Sequence, residues 1–224
     1  MASPSIRTLL LDLDGTLVDT VPDLATALNR LMESRGLAPF DHRQTAGFIG
    51  DGVAVLVGRA FAARGLTPDD RAVADFAGDY GRHAAVASRP YPGVPELLRE
   101  LNAEGFRLAV CTNKPEAAAR ALLEALDLMP MLRAVGGGDS FPVRKPDPAH
   151  VLATLRAAGG GDTARTLMIG DHANDVVASR AAGIRSVFVT WGYGAPAMAE
   201  GADAVANDVP DLLRVVRRLL PVTA

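Results

Sequence analysis

The 224-residue sequence predicts an α/β fold, a doubly wound parallel sheet with a helical segment inserted after its first strand. Three observations carry that reading. Short apolar runs rich in Val, Ile and Leu are each closed by Gly, Asp or Thr, which is how strands buried on both faces of a parallel sheet are written. Amphipathic helical patterns fall between these runs, as βαβ units require. Across residues 20–88 the alternation stops and only helical spacing remains.

The elements follow in order. The first strand is predicted over residues 6–11 and runs directly into Asp12-Leu13-Asp14-Gly15-Thr16. Thr20 stands where it can cap a helix whose first turn holds Pro22, and Leu24, Leu28, Leu31 and Met32 recur at helical spacing. Residues 53–64 and 69–87 read as further helices, with no strand in this block. It is therefore read as an inserted helical cap, dividing the chain into a core of residues 1–18 and 89–224 and a cap of residues 19–88. After it come a helix over 94–104 opened by Pro92-Gly93, a strand over 106–111, a helix over 115–126 and a strand over 133–136. A helix over 148–157, a strand over 166–169, a helix over 174–182, a strand over 185–190 and a closing helix over 209–220 complete the pattern. Gly183 stands just past one helix end, where glycine satisfies the left-handed turn. Gly159-Gly160-Gly161 is a short loop, and no internal repeat is present.

Composition narrows the classes. A hydrophobic content of 49% can fill one substantial core with a small accessory one. A formal net charge of -3 gives no general attraction to nucleic acid or to an anionic membrane, so neither is expected as a partner. No run approaches the roughly 18 apolar residues of a membrane span, and no secretory signal opens the chain, so cytoplasmic residence is expected. Cys111, the single cysteine, excludes an intramolecular disulfide and fits a reducing compartment. Its place inside an apolar strand predicts an inert buried thiol.

The chemistry collects at strand ends. Asp12 and Asp14, spaced i and i+2, point to the same side of the pleat and repel one another. Such a pair needs a cation, and a hard divalent ion with phosphate as its companion suits carboxylates beside a glycine turn. Three more polar segments follow predicted strands: Thr112-Asn113-Lys114, Lys145-Pro146, and Gly170-Asp171 with Asp175. In an open parallel sheet these ends share one edge. Crowded carboxylates ~4 Å apart cost several kcal/mol at intermediate dielectric, so a divalent cation and Lys145 are needed to balance them. Taken singly, each segment also fits a structural use: a polar turn, a loop lysine, or a helix N-cap with an acidic first turn. Their joint occurrence, in order and each after a strand, argues against an all-structural reading. A dinucleotide-binding enzyme is disfavoured, because the first strand ends in an acidic pair and not in Gly-x-Gly-x-x-Gly.

These four segments resemble the motifs of the haloacid dehalogenase superfamily, and the similarity spans nearly the whole chain. The resemblance implies a Rossmann-like core with the cap inserted after the first motif, and Mg²⁺ as cofactor. It implies that Asp12 is the nucleophile forming an aspartyl-phosphate and that Asp14 is the general acid and base. Mg²⁺ would be held by Asp12, the backbone carbonyl of Asp14, and Asp171, with Asp175 orienting the cluster. Thr112, Asn113 and the N–H groups around Gly15 would hold the phosphoryl oxygens, and Lys145 would neutralise the nucleophile. His172 matches no motif position and reads as a loop residue. A carboxylate at Asp14 favours phosphate ester cleavage, because dehalogenating and phosphonate-cleaving members lack one there.

Further segments look like the bacterial phosphoglycolate phosphatases: Gly136-Gly137-Gly138-Asp139-Ser140, Ile49-Gly50-Asp51-Gly52 with Leu56 and Arg59, and Trp191-Gly192-Tyr193-Gly194. The expected substrate is then 2-phosphoglycolate. Sugar phosphates, amino-sugar phosphates and pyrophosphate are the alternatives, with a phosphosugar mutase behind them. Arg59, ahead of Arg64 and Arg82, is the expected partner of the substrate carboxylate. Asp51, where that group commonly has Asn, must point away from an acidic substrate, or the substrate differs. The expected partner is a small phosphorylated metabolite, and the expected assembly a monomer or homodimer.

Overall fold

Leu9, Leu10 and Leu11 are wholly buried, and in the computed structural model, which describes residues 6–221, they form the central strand β1 (Thr8–Leu11). The chain then passes through β2 (Val18–Asp19) into four helices, α1 (Val21–Ser34), α2 (His42–Ala46), α3 (Val53–Ala62) and α4 (Ala72–His83), and returns through β3 (Arg89–Pro90). Next come α5 (Val94–Ala103), β4 (Arg107–Cys111), α6 (Glu116–Ala125), β5 (Ala134–Gly136) and α7 (Pro148–Ala157). The last elements are β6 (Thr166–Gly170), α8 (Ala173–Ala181), β7 (Arg185–Val189), β8 (Ala204–Ala206) and α9 (Val209–Leu219).

Six strands make one parallel sheet in the order β5-β4-β1-β6-β7-β8. Leu11 lies between Val110 of β4 and Ile169 of β6 in register. Because side chains alternate across a strand, the same leucine run feeds two layers. Leu9 and Leu11 join Leu97, Leu101, Leu122, Val187, Leu212 and Val216 under α5, α6 and α9. Leu10 joins Ala109, Cys111, Val151, Leu155, Met168 and Ala178 under α7 and α8. Each such leucine, fully buried, contributes about 1.5–3 kcal/mol. The expected α/β doubly wound architecture is what the chain adopts.

Helices α1 to α4 enclose a separate apolar cluster that includes Leu28, Met32, Val57, Phe61, Phe76 and Tyr80. The connections into and out of this bundle pair as an antiparallel ribbon, Val18 with Pro90 and Asp19 with Arg89. The Asp23 carboxylate locks the return segment, accepting from the N–H groups of Ala87 and Ser88 and from the Ser88 hydroxyl at 2.7–3.0 Å.

The structure departs from the sequence reading at five places. Thr20 sits at the N-cap of α1 but makes no capping bond; the Tyr193 hydroxyl oxygen takes the N–H groups of Thr20 at 2.7 Å and Val21 at 3.2 Å. The helix expected over 69–87 is shorter, and α2 and β8 have no counterpart in the sequence reading. α2 rests on a capping box in which Asp41 and Gln44 bond each other's backbone. β8 is three residues long, too short to show a period. His172, expected as a loop residue, is the N-cap of α8, its Nδ1 accepting from the Asn174 N–H at 3.3 Å.

Candidate active site

The parallel sheet delivers Asp12, Thr112 and Asp171 to one edge, because β1 lies between β4 and β6 and each strand ends just before its polar residue. Carboxylate oxygens of Asp12, Asp171 and Asp175 lie within 4.8 Å of one another, all three residues buried. Lys145 enters from the segment before α7. Its Nζ lies 3.0 Å from Asp12 Oδ1 and 2.6 Å from Asp175 Oδ1, and donates to the Cys111 carbonyl at 2.5 Å. Burial alone would favour loss of the Lys145 proton, but Asp12 and Asp175 outweigh it and hold the ammonium charged.

Three carboxylates thus face one buried ammonium. Burial, then the neighbouring Asp12, pushes the Asp171 carboxyl up to about 6. Both Asp175 oxygens have donors, Lys145 on one and the His172 N–H on the other at 3.1 Å. Asp12 Oδ1, by contrast, is buried with an ion pair but no hydrogen-bond partner. Asp171 is held by the Thr16 hydroxyl at 2.9 Å and the Tyr193 N–H at 2.7 Å. Glycine is required beside it: Gly15 has φ +86°, and a Cβ there or at Gly192 would stand 2.4 or 2.3 Å from Asp171 Oδ2. The all-oxygen donor set and its surplus negative charge over the one Lys145 ammonium fit a hard divalent cation. The Gly15 N–H itself donates to the Val18 carbonyl at 2.9 Å, so it is committed within the turn.

A cavity of about 320 Å³ opens over Asp12 and Asp14, between the sheet edge and the helical bundle. Thr112, Asn113 and Lys114 form its floor with the two aspartates, while Leu24, Ile49, Val53, Leu56 and Ala77 form the facing wall. Asp14 pairs with Lys114, whose Nζ lies 2.9 and 3.2 Å from its two oxygens. The same ammonium meets the Tyr80 hydroxyl at 2.8 Å. Burial works against the Lys114 charge, and Asp14 and Tyr80 more than restore it. Asn113 spends its amide N–H groups on the carbonyls of Gly50 and Lys145, at 3.0 and 2.9 Å.

The expected cap arginines lie elsewhere. Arg59 bonds Asp51 and the Phe48 carbonyl, and does not line the cavity. Asp51 is turned away from the cavity, accepting from Asn174 at 2.6 Å. Burial opposes its ionisation, but Asn174 and Arg59 hold its carboxyl below the usual value. Arg64 bonds the carbonyls of Ala38 and Pro39 and lies over the Phe40 ring.

Comparison with known proteins decides the family. The model of haloacid dehalogenase-like hydrolases matches residues 6–183. The chain belongs to that family. Among relatives of this haloacid dehalogenase-like hydrolase, the phosphoglycolate phosphatase of Cereibacter sphaeroides strain ATCC 17029 is 40% identical over 211 residues, covering 91% of this chain and 95% of that protein. The phosphoglycolate phosphatase of Agrobacterium fabrum strain C58 is 43% identical over 204 residues, covering 89% and 87%. The crystal structure of a "predicted phosphoglycolate phosphatase" from Haemophilus somnus 129PT superposes with a TM-score of 0.86 at 31% identity, covering 94% of this chain and 97% of that one. The protein is a phosphoric monoester hydrolase acting on small phosphorylated substrates. Among the described residues, no helix is long and apolar enough to cross a membrane. Tyr80 was not expected at this hydrolase's site, and Tyr193 stood in the Trp191–Gly194 segment with no role given to it. Their partners lie 34 residues or more away in sequence, and only the folded chain brings them together.

Proposed function

We propose that this hydrolase converts 2-phosphoglycolate to glycolate and phosphate through an aspartyl-phosphate on Asp12, with Mg²⁺ as its metal. The observation that carries the proposal is the buried Asp12 carboxylate, ion-paired through Oδ1 to Lys145, at the floor of a cavity that Asp14 shares. An Asp12 oxygen attacks phosphorus, and the bond to the glycolate oxygen breaks with its electron pair leaving on that oxygen. Asp14 as the acid protonates the leaving oxygen. In the second half, Asp14 takes a proton from water as water attacks phosphorus, and the bond to Asp12 breaks. Lys145 offsets the charge on Asp12, and the Thr112 hydroxyl and the Asn113 backbone N–H hold phosphoryl oxygens. Asp12, the Asp14 carbonyl and Asp171 would hold the cation, Asp175 being fixed behind them by Lys145 and the His172 N–H. When bound, it supplies positive charge to the phosphoryl oxygens and to the carboxylates.

The cavity wall supports the choice of substrate. The bundle contributes aliphatic side chains and a single polar one, Tyr80. A sugar phosphate would leave several hydroxyls without partners there, at about 1–3 kcal/mol each, whereas 2-phosphoglycolate brings one further polar group, its carboxylate, that the site must satisfy. Both relatives carry the phosphoglycolate phosphatase name. The proposal includes the division at residues 18/19 and 88/89, with the 19–88 bundle as a cap that expels water from the cavity. Acid quenching during turnover of ³²P-labelled 2-phosphoglycolate tests the covalent step. The expected result is a hydroxylamine-labile label on the protein that Asp12→Asn lacks; no label, or the same label in Asp12→Asn, overturns it.

A further inference from the structure

Among the described residues, Lys114 is the one cationic side chain lining the cavity. It is 5% exposed, and an ammonium held out of water requires counter-charge and hydrogen-bond partners. Asp14 and the Tyr80 hydroxyl supply two, and the Tyr80 ring lies 4.4 Å from the Nζ. The second Asp14 oxygen, at 3.2 Å, is the longest of the three contacts, so the third N–H of the ammonium can exchange it for an acceptor entering the cavity it borders.

The cap arginines do not compete for this place. Arg59 is engaged by Asp51 and the Phe48 carbonyl, Arg64 by the carbonyls of Ala38 and Pro39, and Arg82 lies on the surface beside Asp79. The rest of the wall offers a second anion no other charged side chain: Leu24, Val53, Leu56, Ala117 and Ala121 are aliphatic. We infer that Lys114 is the specificity-determining residue that receives the carboxylate of the substrate, an inference that rests on the 2-phosphoglycolate reading. With the phosphoryl group over Asp12, the carboxylate reaches the Asp14 side of the cavity, where Lys114 pairs with it. Tyr80 belongs to α4, so the ammonium is fully oriented only while α4 lies over the sheet edge. Recognition of the anionic arm is thereby tied to the position of the helical bundle.

The test compares 2-phosphoglycolate with 2-hydroxyethyl phosphate, which has a hydroxymethyl group where the first has a carboxylate. Wild-type protein, Lys114→Met and Tyr80→Phe are assayed for kcat/KM on both esters. Loss of a charge-assisted contact predicts that Lys114→Met lowers kcat/KM for 2-phosphoglycolate on the order of a hundredfold more than for the neutral ester. Tyr80→Phe keeps the ring and removes only the hydroxyl; it is expected to raise KM for 2-phosphoglycolate severalfold more than for the neutral ester. This second variant decides the matter if Lys114→Met does not fold. Equal losses on both esters would mean that Lys114 serves only to hold Asp14, and the inference falls while the substrate reading stands. If wild-type protein itself shows no preference for the carboxylate ester, the substrate reading falls and the inference with it.

Discussion

Asp12 and Asp14 face one cavity but keep different company, Asp12 beside Lys145 and the other buried carboxylates, Asp14 beside Lys114 and Tyr80. In the proposed reaction Asp12 attacks phosphorus and Asp14 transfers the proton. Asp14→Asn is expected to lower kcat by about 10²–10⁴ for 2-phosphoglycolate, whose leaving oxygen needs a proton, and far less for p-nitrophenyl phosphate. Equal losses on both would contradict the acid role. The buried Cys111 gives a pH prediction. Burial raises its thiol to about 11 from an ordinary 9.0, so the folded state favours the protonated form. Its contribution to stability is complete below about pH 9 and lost as pH rises through 11. Thiolate absorbance should titrate near 11 in the native protein; a midpoint near 9 would show the thiol to be accessible. The acidic residues were legible in the sequence because charge directly after an apolar run has no place in an ordinary strand end. Lys114 lay inside a segment that the sequence singled out, but its partners did not show: Asp14 lies 100 residues away and Tyr80 34.

Among the elements, the connection between sheet and bundle depends on few groups. Asp23 satisfies two backbone N–H groups and a hydroxyl of the return segment. Asp23→Ala leaves the two buried Ser88 donors unpaired and is expected to cost about 3 kcal/mol, read as a lower urea midpoint at unchanged slope; a loss under 0.5 kcal/mol would show that water replaces the carboxylate. On the other side Tyr193 ties Asp19 and the start of α1 to the segment whose backbone N–H holds Asp171. The long elements were legible because their periods are long: Leu97, Leu98 and Leu101 mark α5 as plainly as the leucine run marks β1. α2 and β8 were not, since five and three residues carry too little pattern. Thr20 misled because capping residues are recognised by type, whereas here a phenol from the far end of the chain occupies the capping site.

At the scale of the molecule, a parallel sheet brings residues from 12 to 175 to one edge, and this gathering follows from strand order and direction. The placement of the bundle does not. It depends on contacts such as Asn113 and Asn174 with the Gly50 carbonyl and Asn174 with Asp51, which fill the space between two surfaces that no local pattern describes. Arg59, the cap arginine expected to meet the substrate, is engaged within the bundle itself, by Asp51 and the Phe48 carbonyl. In the proposed function this edge and this wall together hydrolyse a small carboxylate-bearing phosphate ester. The most direct measurement is Mg²⁺-dependent phosphate release from 2-phosphoglycolate beside sugar phosphates, pyrophosphate and nucleotides, with Asp12→Asn as the blank. The expected result is a strong preference for 2-phosphoglycolate in kcat/KM and no release by the variant. A flat profile, a preference for a larger ester, or turnover by Asp12→Asn would contradict it.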